Sequence, residues 1–161
     1  MKLKTLSLVA AVLLIAACSQ DQNKAAAPGG PGGGTTGGTT TRGAGGLSGD
    51  LQRVGDRIYF AFDKSDITAE SRLVLQRQAE LLKQNPSATV TIEGHCDERG
   101  TVEYNLGLGE RRANATKQAL IALGVAANRV NIISYGKERP AVVGHNDQAW
   151  AQNRRAVTVA N

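Results

Sequence analysis

Aromatic side chains are scarce in this sequence: two Phe, three Tyr and one Trp among 161 residues. So few rings leave no repeated stacking platform for nucleobases or sugars. The two histidines, His95 and His145, are the only imidazoles that could act as a catalytic base. Neither a serine nor a cysteine sits in a nucleophile-elbow context, so no enzymatic activity is expected. The two cysteines are Cys18 and Cys96, too few and too differently placed to read as a disulfide framework. No apolar run reaches the roughly 20 residues of a membrane-spanning helix. Long basic runs are absent as well. The formal net charge is +5, and without Lys2 and Lys4 it is 17 basic against 14 acidic residues, or +3. Beyond Arg111-Arg112 and Arg154-Arg155 that charge is too diffuse for a polyanion groove, so no nucleic-acid partner is expected.

Hydrophobic residues make up 41% and charged residues 20% of the chain, which suits a globular body. Ten of the 19 glycines lie between Pro28 and Gly46, so the globular part is limited to one domain of roughly 110 residues.

Residues 1–17 begin with Lys2 and Lys4 and continue as an apolar stretch from Leu8 to Ala17. A charged start followed by a short apolar region is the pattern of a secretory signal. Leu14-Ile15-Ala16-Ala17-Cys18 resembles the bacterial lipobox. That resemblance implies cleavage before Cys18, diacylation of its thiol and acylation of its new amino group, with palmitate as a typical chain. Several acyl chains give stable anchoring where one gives only marginal binding. Ser19, in place of Asp, resembles the outer-membrane sorting signal. Lipid on Cys18 would leave Cys96 as a single thiol without an intramolecular partner.

Residues 18–46 hold the lipidated end and a Gly/Thr-rich stretch without one large apolar side chain, so they form no core. No strand precedes these glycines and no Gly-Lys-Ser/Thr follows, which excludes a phosphate loop. As a flexible linker of about 29 residues the segment has an r.m.s. reach of roughly 30 Å and an extended span of about 100 Å.

Residues 47–161 carry the folded domain. Ile58, Phe60 and Phe62 alternate as one strand; Ala88, Val90 and Ile92 as a second; Val130 and Ile132 begin a third; and Val157 and Val159 share one face of a fourth. Thr68 or Ser65 caps a helix that Asn85-Pro86-Ser87 stops after Gln84, with Leu75, Ala79 and Leu82 on its buried side. A longer helix from about Glu103 to Leu123 is expected to bury Leu106, Ala113, Thr116, Leu120 and Leu123, with Gly124 ending it. Asp147 can cap a last short helix through Gln152. Strands alternating with helices predict an α/β (α+β) sandwich: a small mixed four-stranded sheet packed on two main helices.

Gly94-His95-Cys96-Asp97-Glu98-Arg99-Gly100 is the densest polar cluster. A metal site is not expected, because consecutive residues at a strand end point to alternating faces and no second ligand pair exists. No cofactor is implied. Asp97 after the strand, and Arg111 and Arg112 on the next helix, suggest a pocket for a zwitterionic amino-acid head. Asp accepts from an ammonium and Arg clamps a carboxylate. The same charges also fit an ordinary surface ion pair.

Five stretches carry a resemblance: Tyr59-Phe60-Ala61-Phe62-Asp63-Lys64-Ser65-Asp66-Ile67, Glu93 to Thr101, Glu103 to Ala115, Ser134 to Pro140 and Asn153 to Val157. In that order, over about 100 residues, they resemble the OmpA-like peptidoglycan-binding family, and the lipobox and tether resemble the lipid-anchored members of that family. The resemblance implies non-covalent binding of the meso-diaminopimelate stem peptide by Phe62, Asp63, Asp97, Arg99, Thr101, Asn105, Leu108 and Arg112. Asp97 would receive the ligand's charged head. Arg112 would pair with a carboxylate and position Asp97. Arg154 and Arg155 would orient the last strand and nearby acids, with Arg155 at the pocket rim. His95 would be structural, its ring bonded to backbone. Gly107 and Cys96 depart from the usual residues, Gly107 loosening its helix by roughly 1 kcal/mol relative to Ala.

The implied protein is lipid-anchored in the outer membrane and faces the periplasm. It would bind peptidoglycan, TolB and other Tol components, and support envelope integrity and constriction in cell division. The alternatives are a wall-binding lipoprotein of another envelope complex and a wall-processing enzyme on the same fold.

Overall fold

The computed structural model describes residues 46–161. The signal segment, Cys18 and the Gly/Thr-rich linker lie outside the described residues. Four strands and four helices follow in the order α1 (Gly46–Val54), β1 (Arg57–Tyr59), α2 (Ala69–Gln84), β2 (Val90–His95), α3 (Val102–Ala122), β3 (Val130–Gly136), α4 (Asp147–Asn153) and β4 (Arg155–Ala160). They form an open mixed sheet in the order β1-β4-β2-β3, with β2 and β3 parallel and the other pairs antiparallel. The expected four-stranded α/β sandwich is the fold observed.

Local chemistry sets most boundaries. Thr68 Oγ1 accepts from the Ser71 N–H and caps α2, and Asn85-Pro86 follows its last turn. Thr101 caps α3 in the same way through the Tyr104 N–H. The cap of α4 is Asn146, whose side chain accepts from the Ala149 N–H, so Asp147 is a first-turn acid and not the cap. Helix α1, for which no element was expected, precedes the first expected strand and buries Leu51 in the core.

One face of the sheet carries the apolar core. Ile58, Val90, Ile92, Val130 and Ala156 meet Leu75, Ala79 and Leu82 of α2 and Ala113 and Leu120 of α3. At a period of two, the buried side of β4 belongs to Ala156 and Thr158, so Val157 and Val159 face outward and Val159 is exposed. Thr158 is satisfied inside the core by the Gln78 side chain (2.7 Å).

Two expectations fail at the end of the sheet nearest the polar cluster. Strand β1 stops at Tyr59. The Phe60 N–H still reaches the Arg154 carbonyl, but the chain then turns through Asp63 at φ +57°, which leaves Phe62 58% exposed. Leu106 stays 40% exposed because Asn105, Leu108, Gly109 and Arg112 fill the buried stripe there. Helix α3 approaches the sheet backbone to backbone at this point: a Cβ on Gly94 would lie 1.9 Å from the Gly109 carbonyl oxygen. Only glycine allows that approach, and it sets the first turns of α3 against the end of β2.

Candidate functional site

The turn after β1, the loop after β2, the first turns of α3 and the residue before β4 surround a cavity of about 170 Å³. Phe62, Asp63, Asp97, Arg99, Asn105, Leu108 and Arg112, all among the residues that the resemblance names, line it. Cys96, Gly100, Tyr104 and Arg154 complete the wall. A larger cleft of about 480 Å³ runs beside β1 and the start of α2. Its charged members are Arg57, Glu70 and Arg154, without the ion-paired acid that marks the smaller cavity at Asp97, so chemistry and not size selects the smaller cavity.

Arg112 is wholly buried. Its Nε donates to the Lys64 carbonyl (2.8 Å), Nη1 to the His95 carbonyl (2.9 Å) and Nη2 to the Ala61 carbonyl (3.1 Å). It therefore fastens the turn after β1 to the end of β2. In place of the expected carboxylate its donors meet backbone oxygens, and through the His95 carbonyl they hold the start of the loop that carries Asp97. Burial lowers its pKa, although the group stays charged.

Asp97 receives the charges that Arg112 does not supply. Arg99 donates from Nε (3.2 Å), Nη2 (2.6 Å) and its backbone N–H (3.1 Å), and Arg154 Nη1 lies at 3.4 Å. Burial acts to raise the Asp97 carboxyl, but the hydrogen bonds from Arg99 and Arg154 outweigh it and hold the group below the usual carboxylate range. Arg154 thus orients a neighbouring acid as expected, and its Nε also holds the Phe60 carbonyl (3.0 Å). Three arginines face two aspartates, so the cavity carries a surplus of positive charge.

The remaining predicted residues divide by role. Asn105 donates to the Arg99 and Thr101 carbonyls (2.8 and 3.0 Å) and so holds the loop. Thr101 caps α3 and does not line the cavity. Asp63 accepts from the Tyr104 hydroxyl, a partner the sequence reading did not single out. The Cys96 thiol is buried against the Asn105 carbonyl (3.4 Å), and burial raises its pKa, as in an unreactive thiol.

Arg155 and His95 do not reach the cavity. Strand alternation turns both to the outer face of the sheet. Neither His95 ring nitrogen makes a hydrogen bond; its polar neighbours are the Glu93 carboxylate at 3.7 Å and the Arg139 backbone. The Arg139 backbone is the group of the expected kind beside the ring, and its interaction acts to raise the His95 pKa. Burial and the Arg155 charge push the His95 pKa down to about 4.

A second set of residues lies behind the loop. The Arg99 guanidinium sits 4.0 Å from the Phe62 ring centre and 4.1 Å from that of Trp150. Trp150 Nε1 donates to Glu98 (2.8 Å), and the other Glu98 oxygen lies 2.7 Å from His145 Nδ1. Lys137 Nζ donates to the Glu98 and Gly100 carbonyls. No sequence signal ties Trp150, His145 or Lys137 to this loop, because only the fold brings them together.

The OmpA family model matches residues 59–155. The chain is similar to the peptidoglycan-associated lipoprotein of Brucella melitensis, with 56% identity over 108 residues, 67% of this chain and 64% of that protein. The matched part thus spans less than two thirds of that relative's length. It is 50% identical to the peptidoglycan-associated lipoprotein of Haemophilus influenzae over 70% of this chain and 74% of that protein. Among solved structures, the peptidoglycan-associated lipoprotein of Burkholderia pseudomallei superposes with a TM-score of 0.64 at 43% identity, covering 66% of this chain and 90% of that one. This is not an enzyme family, in agreement with the expectation of no catalysis.

Proposed function

The chain belongs to the OmpA family, and from that premise we propose that it is an outer-membrane lipoprotein that grips peptidoglycan without turnover. Lipid on Cys18 holds one end in the membrane, and the domain faces the periplasm on its Gly/Thr-rich tether. The cavity at Asp97 holds the meso-diaminopimelate of a stem peptide. Its partners are TolB and the other Tol components, and its work is to keep the outer membrane attached to the wall as the envelope constricts in division.

The observation that carries this reading is the charge arrangement at the cavity. Asp97 offers acceptor oxygens, while Arg99 and Arg154 surround it with donors. A zwitterionic head presents the complementary pair, an ammonium for Asp97 and a carboxylate for the arginines. The relatives' name, peptidoglycan-associated lipoprotein, supports the same ligand class. Many weak grips along a polymeric wall, each linked to one membrane, hold by avidity more than by single-site affinity.

The test is calorimetric titration of the detergent-solubilised chain with a diaminopimelate-containing stem peptide. Saturable binding is expected, and Asp97→Ala weakens it by about 1.5 kcal/mol or more, as for a lost charge-assisted contact. A folded parent that does not bind overturns the reading. Labelling with palmitate, abolished by Cys18→Ser, tests the anchor, and co-purification with TolB tests the partner.

A further inference from the structure

We propose that Trp150, which lies outside the cavity, is a positioning residue that sets the plane of the Arg99 guanidinium and thereby selects a free carboxylate over a carboxamide in the ligand. The inference rests on the stem-peptide reading above.

A guanidinium at a pocket has two rotations to lose. Rotation within its own plane is fixed when Nε and Nη2 form a fork on one carboxylate, as Arg99 does on Asp97. Tilt out of the plane is fixed only by something on its flat faces. The ring centres of Phe62 and Trp150 lie 4.0 and 4.1 Å from the guanidinium carbon, close enough for both rings to restrict that tilt. Phe62 is 58% exposed and sits on a surface turn, so it is a weak wall by itself. Trp150 is the firm wall. It stands on α4, which Asn146 caps, and its indole N–H is held by Glu98. His145 holds the other oxygen of Glu98, and Lys137 holds its carbonyl.

With Nε and Nη2 engaged on Asp97, Arg99 keeps a second edge of N–H donors, and Nη1 has no acceptor among the described residues. An edge held in one plane matches the two oxygens of a carboxylate. A carboxamide offers one oxygen and sets its own N–H groups against the arginine's. Discrimination therefore depends on the guanidinium staying flat, and that depends on Trp150. A loosely held Arg99 would lose the two-point match to a carboxylate, while its single contact with an amide oxygen would hardly change.

The experiment titrates the detergent-solubilised chain with two synthetic stem peptides, one with a free-carboxylate diaminopimelate and one with its side-chain carboxylate amidated. Trp150→Leu keeps apolar bulk without a ring face; Trp150→Phe keeps a ring face without the indole N–H. The parent should prefer the free carboxylate by about tenfold. Trp150→Leu should lose about fivefold for the free-carboxylate peptide and almost nothing for the amide, while Trp150→Phe retains most of the preference. In an Arg99→Ala background, Trp150→Leu should add nothing, since its effect passes through Arg99. A folded Trp150→Leu with unchanged preference, or a loss that adds in full to that of Arg99→Ala, overturns the inference. No binding of either peptide by the parent overturns the function reading, and the inference with it.

Discussion

Arg112 and Arg155 are both buried, and both lie where β2 ends and β4 begins, yet they sit on opposite faces of the sheet in opposite conditions. Arg112, on the helix side, has carbonyl acceptors at 2.8, 2.9 and 3.1 Å for its three nitrogens. Arg155, on the outer side, has only two long bonds, to the Asn153 and Arg139 carbonyls (3.5 and 3.3 Å), and its Nε has no partner. Its neighbour His95 has no hydrogen bond on either ring nitrogen. A buried charge is tolerable when its donors are matched and costly when they are not. The face that is fully matched is the one that builds the cavity. Polar satisfaction is thus concentrated where geometry has to be held, and the outer face carries the mismatch.

Substitution of each arginine should separate the two faces most clearly. Arg112→Ala removes three hydrogen bonds, one of them to the buried His95 carbonyl, and unfastens the turn after β1 from β2, so we expect a loss of about 3–5 kcal/mol in urea denaturation. Arg112→Lys should recover only part of this, because one ammonium cannot span three divergent acceptors. Arg155→Met keeps similar volume and removes an under-satisfied charge, and should cost about 1 kcal/mol or less. Equal losses for Arg112→Ala and Arg155→Met would break the comparison.

Acid gives the next largest effect and isolates the outer face. His95 in the folded protein titrates at about 4, below its ordinary 6.5. As pH falls below 6.5 the unfolded chain takes up a proton that the folded chain resists, so stability declines from there until pH 4, where the folded ring also protonates. A shift of that size corresponds to about 3 kcal/mol. The group is pressed by burial first and then by Arg155; the Arg139 backbone acts the other way, and the Arg139 and Arg57 charges add to the lowering, with the Glu93 carboxylate at 3.7 Å. Chemical melts between pH 7 and pH 4 should show this decline in the parent, and His95→Phe should flatten it. The Asp97 contribution has the same sign but a lower pH window. Its lowered pKa stabilises above the ordinary carboxylate value and is lost only as pH falls through that lower value, so the two faces separate along the pH axis.

The contrast also marks what could be read from the chain itself. Helix α2 was legible from Thr68 to Asn85-Pro86 because its cap and its stop are local. The alternation of Val90 with Ile92 and of Val130 with Ile132 placed β2 and β3. Seven of the eight predicted pocket residues line the cavity, since the turn after β1, the loop after β2 and the start of α3 are short segments on adjacent elements. The partner of Arg112 was not legible. The resemblance gives it a carboxylate to pair with and Asp97 to position, but the backbone oxygens it meets carry no sequence signature. The same holds for Trp150 and His145, which reach Glu98 across 52 and 47 residues. Arg154 and Arg155 look equivalent in sequence, and strand parity alone sends one to the cavity and the other to the outer face.

Gly107 provides the smallest effect and a control for the comparison. It lies on α3 between the exposed Leu106 and the buried Leu108, and a Cβ there would meet only the flexible tip of Arg111, at 3.5 Å. Gly107→Ala should therefore stabilise the protein by roughly 0.5–1 kcal/mol, the propensity difference alone. The cavity is held by Arg112, Asn105 and the Gly94–Gly109 contact, none of which Gly107 touches, so affinity for the stem peptide should not change. A rise in midpoint with unchanged affinity assigns the geometry of the site to the clamp at Arg112. A rise in both would mean that the first turns of α3 are loose enough in the parent to limit binding, and that the helix face of the sheet is less firmly held than its hydrogen bonds imply.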